Sequence, residues 1–167
     1  DIIFLGNSIT DGAEWFELFS DKRMKNRGIS GDTAYGVYDR LANILTGKPA
    51  KIFLLIGVND LAQGTSPDSI VYRTGLIVSR VKAESPDTQL YIQSMLPVND
   101  CYNMFKGHTS RSQLVPVINY GSRELAEREG ITYTDFYTHF AGETGKLKPE
   151  YYNDGLHLMG KTYMEWM

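Results

Sequence analysis

Apolar positions along this chain form two alternating kinds of pattern. The first is short and nearly continuous. Ile2-Ile3-Phe4-Leu5, Ile52-Phe53-Leu54-Leu55-Ile56 and Leu90-Tyr91-Ile92-Gln93-Ser94-Met95-Leu96 are closed by Gly6, Gly57 and Pro97. Runs of this length, rich in branched and aromatic side chains and bounded by turn residues, predict strands covered on both faces, as in a parallel sheet. Residues 131–136 predict a shorter strand, and residues 24–29 one more. The second pattern is helical. Ala34, Val37, Tyr38, Leu41 and Leu45 fall on one stripe, Ile70, Ile77, Val78 and Val81 on another, and Val115, Ile118, Leu125 and Ala126 on a third. Ser66-Pro67 reads as the cap and first residue of the second helix, and Gly130 as the stop of the third.

Strands separated by helical segments need crossover connections. The expected fold is therefore α/β, a three-layer α/β/α sandwich with a mainly parallel sheet. In such sheets ligands gather beyond the carboxyl ends of the strands, where Ser8, Asn59 and the loop after Pro97 would lie. Residues 99–111 and 138–153 are the longest irregular stretches, and loops of that length often carry function.

The chain has 167 residues, 42% of them hydrophobic and 22% charged, which suits one domain over residues 1–167 with a substantial core. A net charge of −3, with lysines and arginines scattered among acids, gives no basic field for a nucleic-acid backbone. The lone Cys101 has no intrachain disulfide partner and lacks the Cys/His spacing of a zinc site, so it reads as a small buried or loop thiol. No apolar stretch reaches the roughly 20 residues of a membrane span. The sequence starts at Asp1 without a methionine and stops at Trp166-Met167 inside what should be the last helix. Residues are expected beyond both ends, and both a cytoplasmic location and export behind a preceding signal peptide stay open.

Candidate chemistry sits in four short blocks. Taken singly they are ordinary. A serine after a strand is usually a turn former or cap, Asp-x-x-His a local hydrogen bond or half a metal site, Asn59 a turn residue, and Gly31 a backbone position needing positive φ. Their order is more telling. Three blocks follow predicted strands and the fourth precedes a final amphipathic helix. Gly6-Asn7-Ser8-Ile9-Thr10, Asn26-Arg27-Gly28-Ile29-Ser30-Gly31-Asp32-Thr33, Gly57-Val58-Asn59-Asp60 and Asp154-Gly155-Leu156-His157 together resemble the SGNH or GDSL hydrolase family, over nearly the whole chain.

That resemblance implies a serine esterase working through an acyl-enzyme. Ser8 would be the nucleophile, His157 the general base and then acid, and Asp154 the carboxylate that orients it. The backbone N–H groups of Ser8 and Gly31 and the side-chain amide of Asn59 would form the oxyanion hole. It implies no metal and no organic cofactor. One departure is Asn7, which stands where the family commonly has aspartate before its serine. The chain has no Gly-x-Ser-x-Gly elbow, which argues against the ordinary α/β-hydrolase fold, in which the nucleophile follows later strands. The polar long loops and the lack of an apolar lid favour short acyl groups, especially acetyl, on a polar and carbohydrate-like alcohol. The alternative within the family is a lysophospholipase or thioesterase-like enzyme.

A non-catalytic binder would have no need of all five residues. A nucleotide-binding module should show a glycine-rich phosphate loop, which is missing. His108 and His139 read as exposed or hydrogen-bonded structural histidines. Tyr102, Tyr151 and Tyr152 are candidates for stacking on sugar rings, although packed tyrosines are commoner. Met104 and Phe105 could line an acyl pocket. Arg123, Glu124, Glu127 and Arg128 make a solvated helix face. Nothing in the pattern speaks to oligomeric state.

Overall fold

The computed structural model describes residues 1–166, so Met167, onto which the last helix was expected to continue, lies outside the described residues. Among them, strands β1 (Ile2–Gly6), β2 (Met24–Gly28), β3 (Lys51–Leu55), β4 (Gln89–Gln93) and β5 (Thr132–Thr134) form one sheet in the order β2-β1-β3-β4-β5. Every neighbouring pair is parallel. The helices are α1 (Ser8–Asp11), α2 (Trp15–Leu18), α3 (Ala34–Leu45), α4 (Val58–Ala62), α5 (Pro67–Glu84), α6 (Lys106–Thr109), α7 (Val115–Glu129), α8 (Tyr137–Phe140) and α9 (Gly160–Glu165).

The pleat sorts the apolar runs into two chemically different faces. Ile3, Leu5, Ile52, Leu54, Leu90 and Ile92 point to one side and pack under Leu41, Ile77, Val78 and Leu125 of α3, α5 and α7. Full burial of an aliphatic side chain such as Leu41 or Ile77 contributes about 2 kcal/mol. The opposite face is aromatic. Phe4, Phe53 and Tyr91 are in register across β1, β3 and β4, with successive ring centroids 5.1 and 4.5 Å apart. Trp15 stacks on Phe4 with its ring centroid at 3.9 Å, and Phe140, Tyr163 and Trp166 complete this second cluster.

Local signals act as the sequence suggested. The Ser66 hydroxyl accepts from the Ser69 N–H, with Pro67 opening α5, and Gly130 ends α7 at φ 66°. Two strands are shorter than expected. The run reaching Leu96 leaves the ladder after Gln93, because side chains take over the backbone partners. The Ser94 hydroxyl accepts from the N–H groups of Phe136 and Tyr137, and the Asn119 amide binds both the N–H and the C=O of Met95. The run over residues 131–136 pairs only through Thr132–Thr134. The two long loops are also less irregular than expected, since α6 falls in one, and part of α8 and a 3₁₀ turn (Pro149–Tyr151) in the other.

The strand order reverses between β1 and β3. A crevice opens at such a point because the connections leave in opposite directions, and Ser8 and Asn59 follow those two strands.

Candidate active site

Ser8 is the first residue of α1. Asn7 caps that helix through its Oδ1, which accepts the Ile9 N–H at 3.0 Å. Asn7 is fully buried, and among the described residues its Nδ2 has no hydrogen-bond partner. The turn thus keeps the capping function that the residue before the serine must supply, with an amide in place of a carboxylate.

The Ser8 Oγ lies 3.1 Å from His157 Nε2, 149 residues away in sequence. His157 Nδ1 lies 2.8 Å from Asp154 Oδ2, while Asp154 Oδ1 accepts the N–H groups of Leu156 and His157, both at 2.8 Å. One carboxylate therefore shapes its own turn and holds the imidazole. With Nδ1 as donor to the carboxylate, the Nε2 lone pair faces the serine hydroxyl. Partial burial works to raise the Asp154 pKa, but the two backbone N–H groups and the His157 ring outweigh it, and the carboxyl ends below its usual range. Gly155 is required here, since its φ is +88° and a Cβ would run into the Asn99 carbonyl. Asn99 in turn donates its N–H to Gly155 O at 2.8 Å.

Gly31 follows β2 with φ +82°, and the side where a Cβ would stand is open. Next to it, the Asp32 carbonyl accepts from Asn59 Nδ2 at 2.8 Å, which fastens the loop after β2 to the start of α4. Two buried or half-buried ion pairs hold this arrangement. Arg40 binds the Asp32 carboxylate at 2.8 Å and donates to the carbonyls of Gly6 and Arg27, tying the ends of β1 and β2 to the loop. Asp60 is wholly inaccessible and accepts from the Ala34 N–H at 2.9 Å and from Arg73 at 2.8 Å. The sequence-predicted residues are accordingly all at the carboxyl edge of the sheet region or in the loop that meets it. Ser8, His157 and Asp154 are joined directly, and Asn59 is linked to the Gly31-Asp32 loop.

Two residues of the loop after β4 belong to this neighbourhood, and only one of them had been given a binding role. His108 Nε2 lies 2.8 Å from Asn59 Oδ1. Burial, with a smaller contribution from the charge of His157, holds the His108 pKa below its ordinary value. The Phe105 ring meets the His157 ring edge to face at a centroid distance of 5.1 Å. Phe105 has φ +49°, and Asn103, two residues earlier, has φ +57°, so this loop holds two non-glycine residues in the left-handed region. No motif surrounds His108. The only sequence signal was that its loop leaves the carboxyl end of a strand.

His139 is an exposed histidine bonded to Glu165 at 2.9 Å. Tyr151 and Tyr152 are buried in the aromatic cluster, so they have no free face for a sugar ring. Tyr152 spends its hydroxyl on the Cys101 thiol at 3.0 Å. Tyr102, Met104 and Phe105 are exposed, which makes the surface of this loop more apolar than its overall composition suggested. Among the described residues no cluster of three or more His, Cys, Asp or Glu is arranged to hold a metal ion, and no helix is long and apolar enough to cross a membrane.

The model of the GDSL-like Lipase/Acylhydrolase family matches residues 4–164. This chain belongs to that family. Platelet-activating factor acetylhydrolase IB subunit alpha2 from Homo sapiens is 25% identical over 170 residues, covering 98% of this chain and 71% of the relative. Among solved structures, a Streptococcus pneumonia protein provisionally described as a platelet activating factor superposes with a TM-score of 0.88 at 31% identity, covering 98% of this chain and 78% of the other. An acetylxylan esterase from Geobacillus stearothermophilus superposes with a TM-score of 0.77 over 98% of this chain and 88% of its own. Its 16% identity bears on the fold alone. The GDSL-family assignment makes the chain a hydrolase.

Proposed function

We propose that this GDSL-family hydrolase is a serine esterase that cleaves short-chain carboxylic esters, acetyl esters above all, through an acyl-enzyme intermediate. The observation that carries the reading is the unbroken line from Ser8 Oγ through His157 to Asp154, with contacts of 3.1 and 2.8 Å. A serine hydroxyl is a weak nucleophile until an imidazole takes its proton, and the imidazole needs a carboxylate to hold its tautomer and stabilise its charge. Ser8 Oγ attacks the ester carbonyl as His157 Nε2 accepts the proton. The tetrahedral oxyanion is met by the N–H groups of Ser8 and Gly31 and by Asn59 Nδ2. The intermediate collapses as His157 returns the proton to the leaving alkoxide. Water then attacks the acyl-enzyme by the same route, releasing the acid and restoring Ser8. Each donor aimed at the developing oxyanion contributes on the order of 3 kcal/mol to lowering the barrier.

The acetyl preference is supported by the acetylhydrolase name of the relative that is 25% identical. The alcohol is inferred to be polar, with carbohydrate esters the leading class. The exposed Phe105 ring beside His157 offers one flat surface for a pyranose face on the leaving-group side. A second reading, a lysophospholipase or thioesterase-like enzyme, is favoured by the same exposed Tyr102, Met104 and Phe105 if they contact an aliphatic tail instead.

A p-nitrophenyl ester series from acetyl to palmitoyl, run beside acetylated sugars, separates the two. A small acyl pocket loses kcat/KM beyond butyryl. A fitted apolar tunnel gains about 0.8 kcal/mol, close to fourfold, for each added methylene. A monotonic rise to octanoyl without acetate release from sugar acetates overturns the acetylesterase reading in favour of the lipid one. Activity is expected to persist in EDTA, and a rate that returned only with added divalent metal would remove Ser8 from its role. Covalent labelling by a fluorophosphonate, lost in Ser8→Ala, distinguishes an esterase from a binding domain that merely shares the fold.

A further inference from the structure

Asn59 is gripped at both ends of its amide. Nδ2 donates to the Asp32 carbonyl at 2.8 Å, and Oδ1 lies 2.8 Å from His108 Nε2. An amide oxygen only accepts, so His108 must donate through an Nε2–H. The opposite flip of the amide would set Oδ1 against the Asp32 carbonyl, two acceptors face to face. The two contacts together fix the amide plane and the order of its O and N. They leave one N–H of Nδ2 uncommitted among these contacts. Because the reading of Asn59 as an oxyanion donor requires that free N–H to hold one direction, we propose that His108 is a positioning residue, whose Nε2–H locks the Asn59 amide in the orientation that serves the oxyanion. The inference rests on that reading of Asn59.

The placement of His108 is built into the loop. Phe105, in the left-handed region, turns the chain into α6 as its N-terminal neighbour. α6 then packs on α4, where Gly107 passes close to Ala62 and Arg111 donates to the Leu61 carbonyl at 2.8 Å. The helix that carries Asn59 and the turn that carries His108 are therefore fastened to each other on both sides of the 2.8 Å contact. A neutral imidazole suits the task. His157 becomes cationic when it takes the serine proton, and a second cation nearby would oppose that step, whereas burial favours the uncharged form of His108, which still carries a donor.

The experiment compares steady-state kinetics on p-nitrophenyl acetate for His108→Ala, His108→Gln, Asn59→Ala and the double variant Asn59→Ala/His108→Ala, with thermal unfolding of each. His108→Ala should lower kcat roughly 10- to 100-fold, as losses of outer partners of reacting groups do, with KM little changed. His108→Gln places an amide N–H near the Nε2 position and should recover most of that loss. In the Asn59→Ala background, His108→Ala should add almost nothing, because its effect passes through the missing amide. The proposal is overturned if the two losses multiply, if the effect falls on KM alone, or if a folded His108→Gln is as slow as His108→Ala. An Asn59→Ala enzyme with unchanged kcat would instead bring down the oxyanion reading beneath it, while a full Asn59 effect beside an unaffected His108→Ala brings down only the positioning role. Should the alanine variant not fold, His108→Gln measured against Asn59→Ala still decides, since a Gln variant as slow as Asn59→Ala sinks the proposal and one near the parent rate sustains it.

Discussion

The two halves of the site are held by different means. Ser8, Gly31 and Asn59 stand on the connections that leave β1, β2 and β3, so adjacent parallel strands set their spacing. Arg40 and the buried Asp60 then clamp those connections to one another. Asp154, His157, His108 and Phe105 come from segments with little regular structure. Their positions depend on short local contacts, namely the Asp154 carboxylate on its own turn, the Asn99 link to Gly155, and α6 against α4. Ser8, Gly31 and Asn59 thus share the rigidity of the sheet, while His157 and its partners are brought to them by loops. Mutations on the two halves should fail in different ways. On the strand-end half, chemistry is lost while the fold stays intact. On the loop half, chemistry and local order are lost together.

The largest effect is expected from Ser8→Ala, which removes the proposed acyl-accepting atom. Among the described residues, the Oγ contact to His157 is the one side-chain hydrogen bond it forfeits. kcat should fall by roughly 10⁶ with an unfolding midpoint close to the parent's, measured by p-nitrophenyl acetate turnover and circular dichroism. A folded alanine variant within tenfold of the parent rate would place the nucleophile elsewhere. Asp154→Asn comes next, with a loss of roughly 10⁴ in kcat, because an amide on Nδ1 no longer fixes the tautomer that leaves Nε2 free for the serine proton. It also weakens the acceptor of two backbone N–H groups, so this variant should show a lower unfolding midpoint, in contrast to Ser8→Ala. If Asp154→Asn proved as heat-stable as the parent, the turn would not depend on its carboxylate and the contrast between the halves would weaken. Asn59→Ala should cost roughly 10² to 10³ in kcat, as one oxyanion donor is lost and the Ser8 to His157 line is left in place. Its fluorophosphonate labelling should slow without disappearing.

The same division decides how much could be read from the sequence. The parallel sheet, its helices and the edge that carries the site were legible because each rests on a local pattern. The strands showed as apolar runs, α3, α5 and α7 as stripes, and the caps as Ser66-Pro67 and Gly130. The meeting of Ser8 with His157 and Asp154, and of Asn59 with the Gly31-Asp32 loop, agrees with the four blocks in which these residues were singled out. What stayed hidden depends on contacts distant in sequence. β4 stops at Gln93 because Asn119, 24 residues from Met95, takes its backbone groups, and no local pattern announces that. His108 looked like an ordinary loop histidine because its partner, Asn59, is 49 residues away. Tyr151 and Tyr152 take the packed role that was the commoner expectation, although the aromatic face that buries them assembles from both ends of the chain.

The smallest effect concerns acid stability, and it tests whether the loop half is held by its own charge. The Asp154 carboxyl titrates below the ordinary 3.8 in the folded chain, because its hydrogen bonds to the Leu156 and His157 N–H groups and the His157 ring outweigh its partial burial. A depressed folded pKa means that the unfolded chain binds the proton first as pH falls. Its contribution to stability is therefore complete above the ordinary value and is lost as pH drops through the lower folded one. Asp154→Asn has no such group. The stability gap between parent and variant, measured by urea unfolding, should narrow as pH falls below the ordinary carboxyl value. Ser8→Ala, on the other half, should track the parent at every pH. A gap between parent and Asp154→Asn that stayed unchanged down to pH 2.5, roughly a unit below the ordinary carboxyl value, would show that the turn holds His157 by shape rather than by the carboxylate's charge.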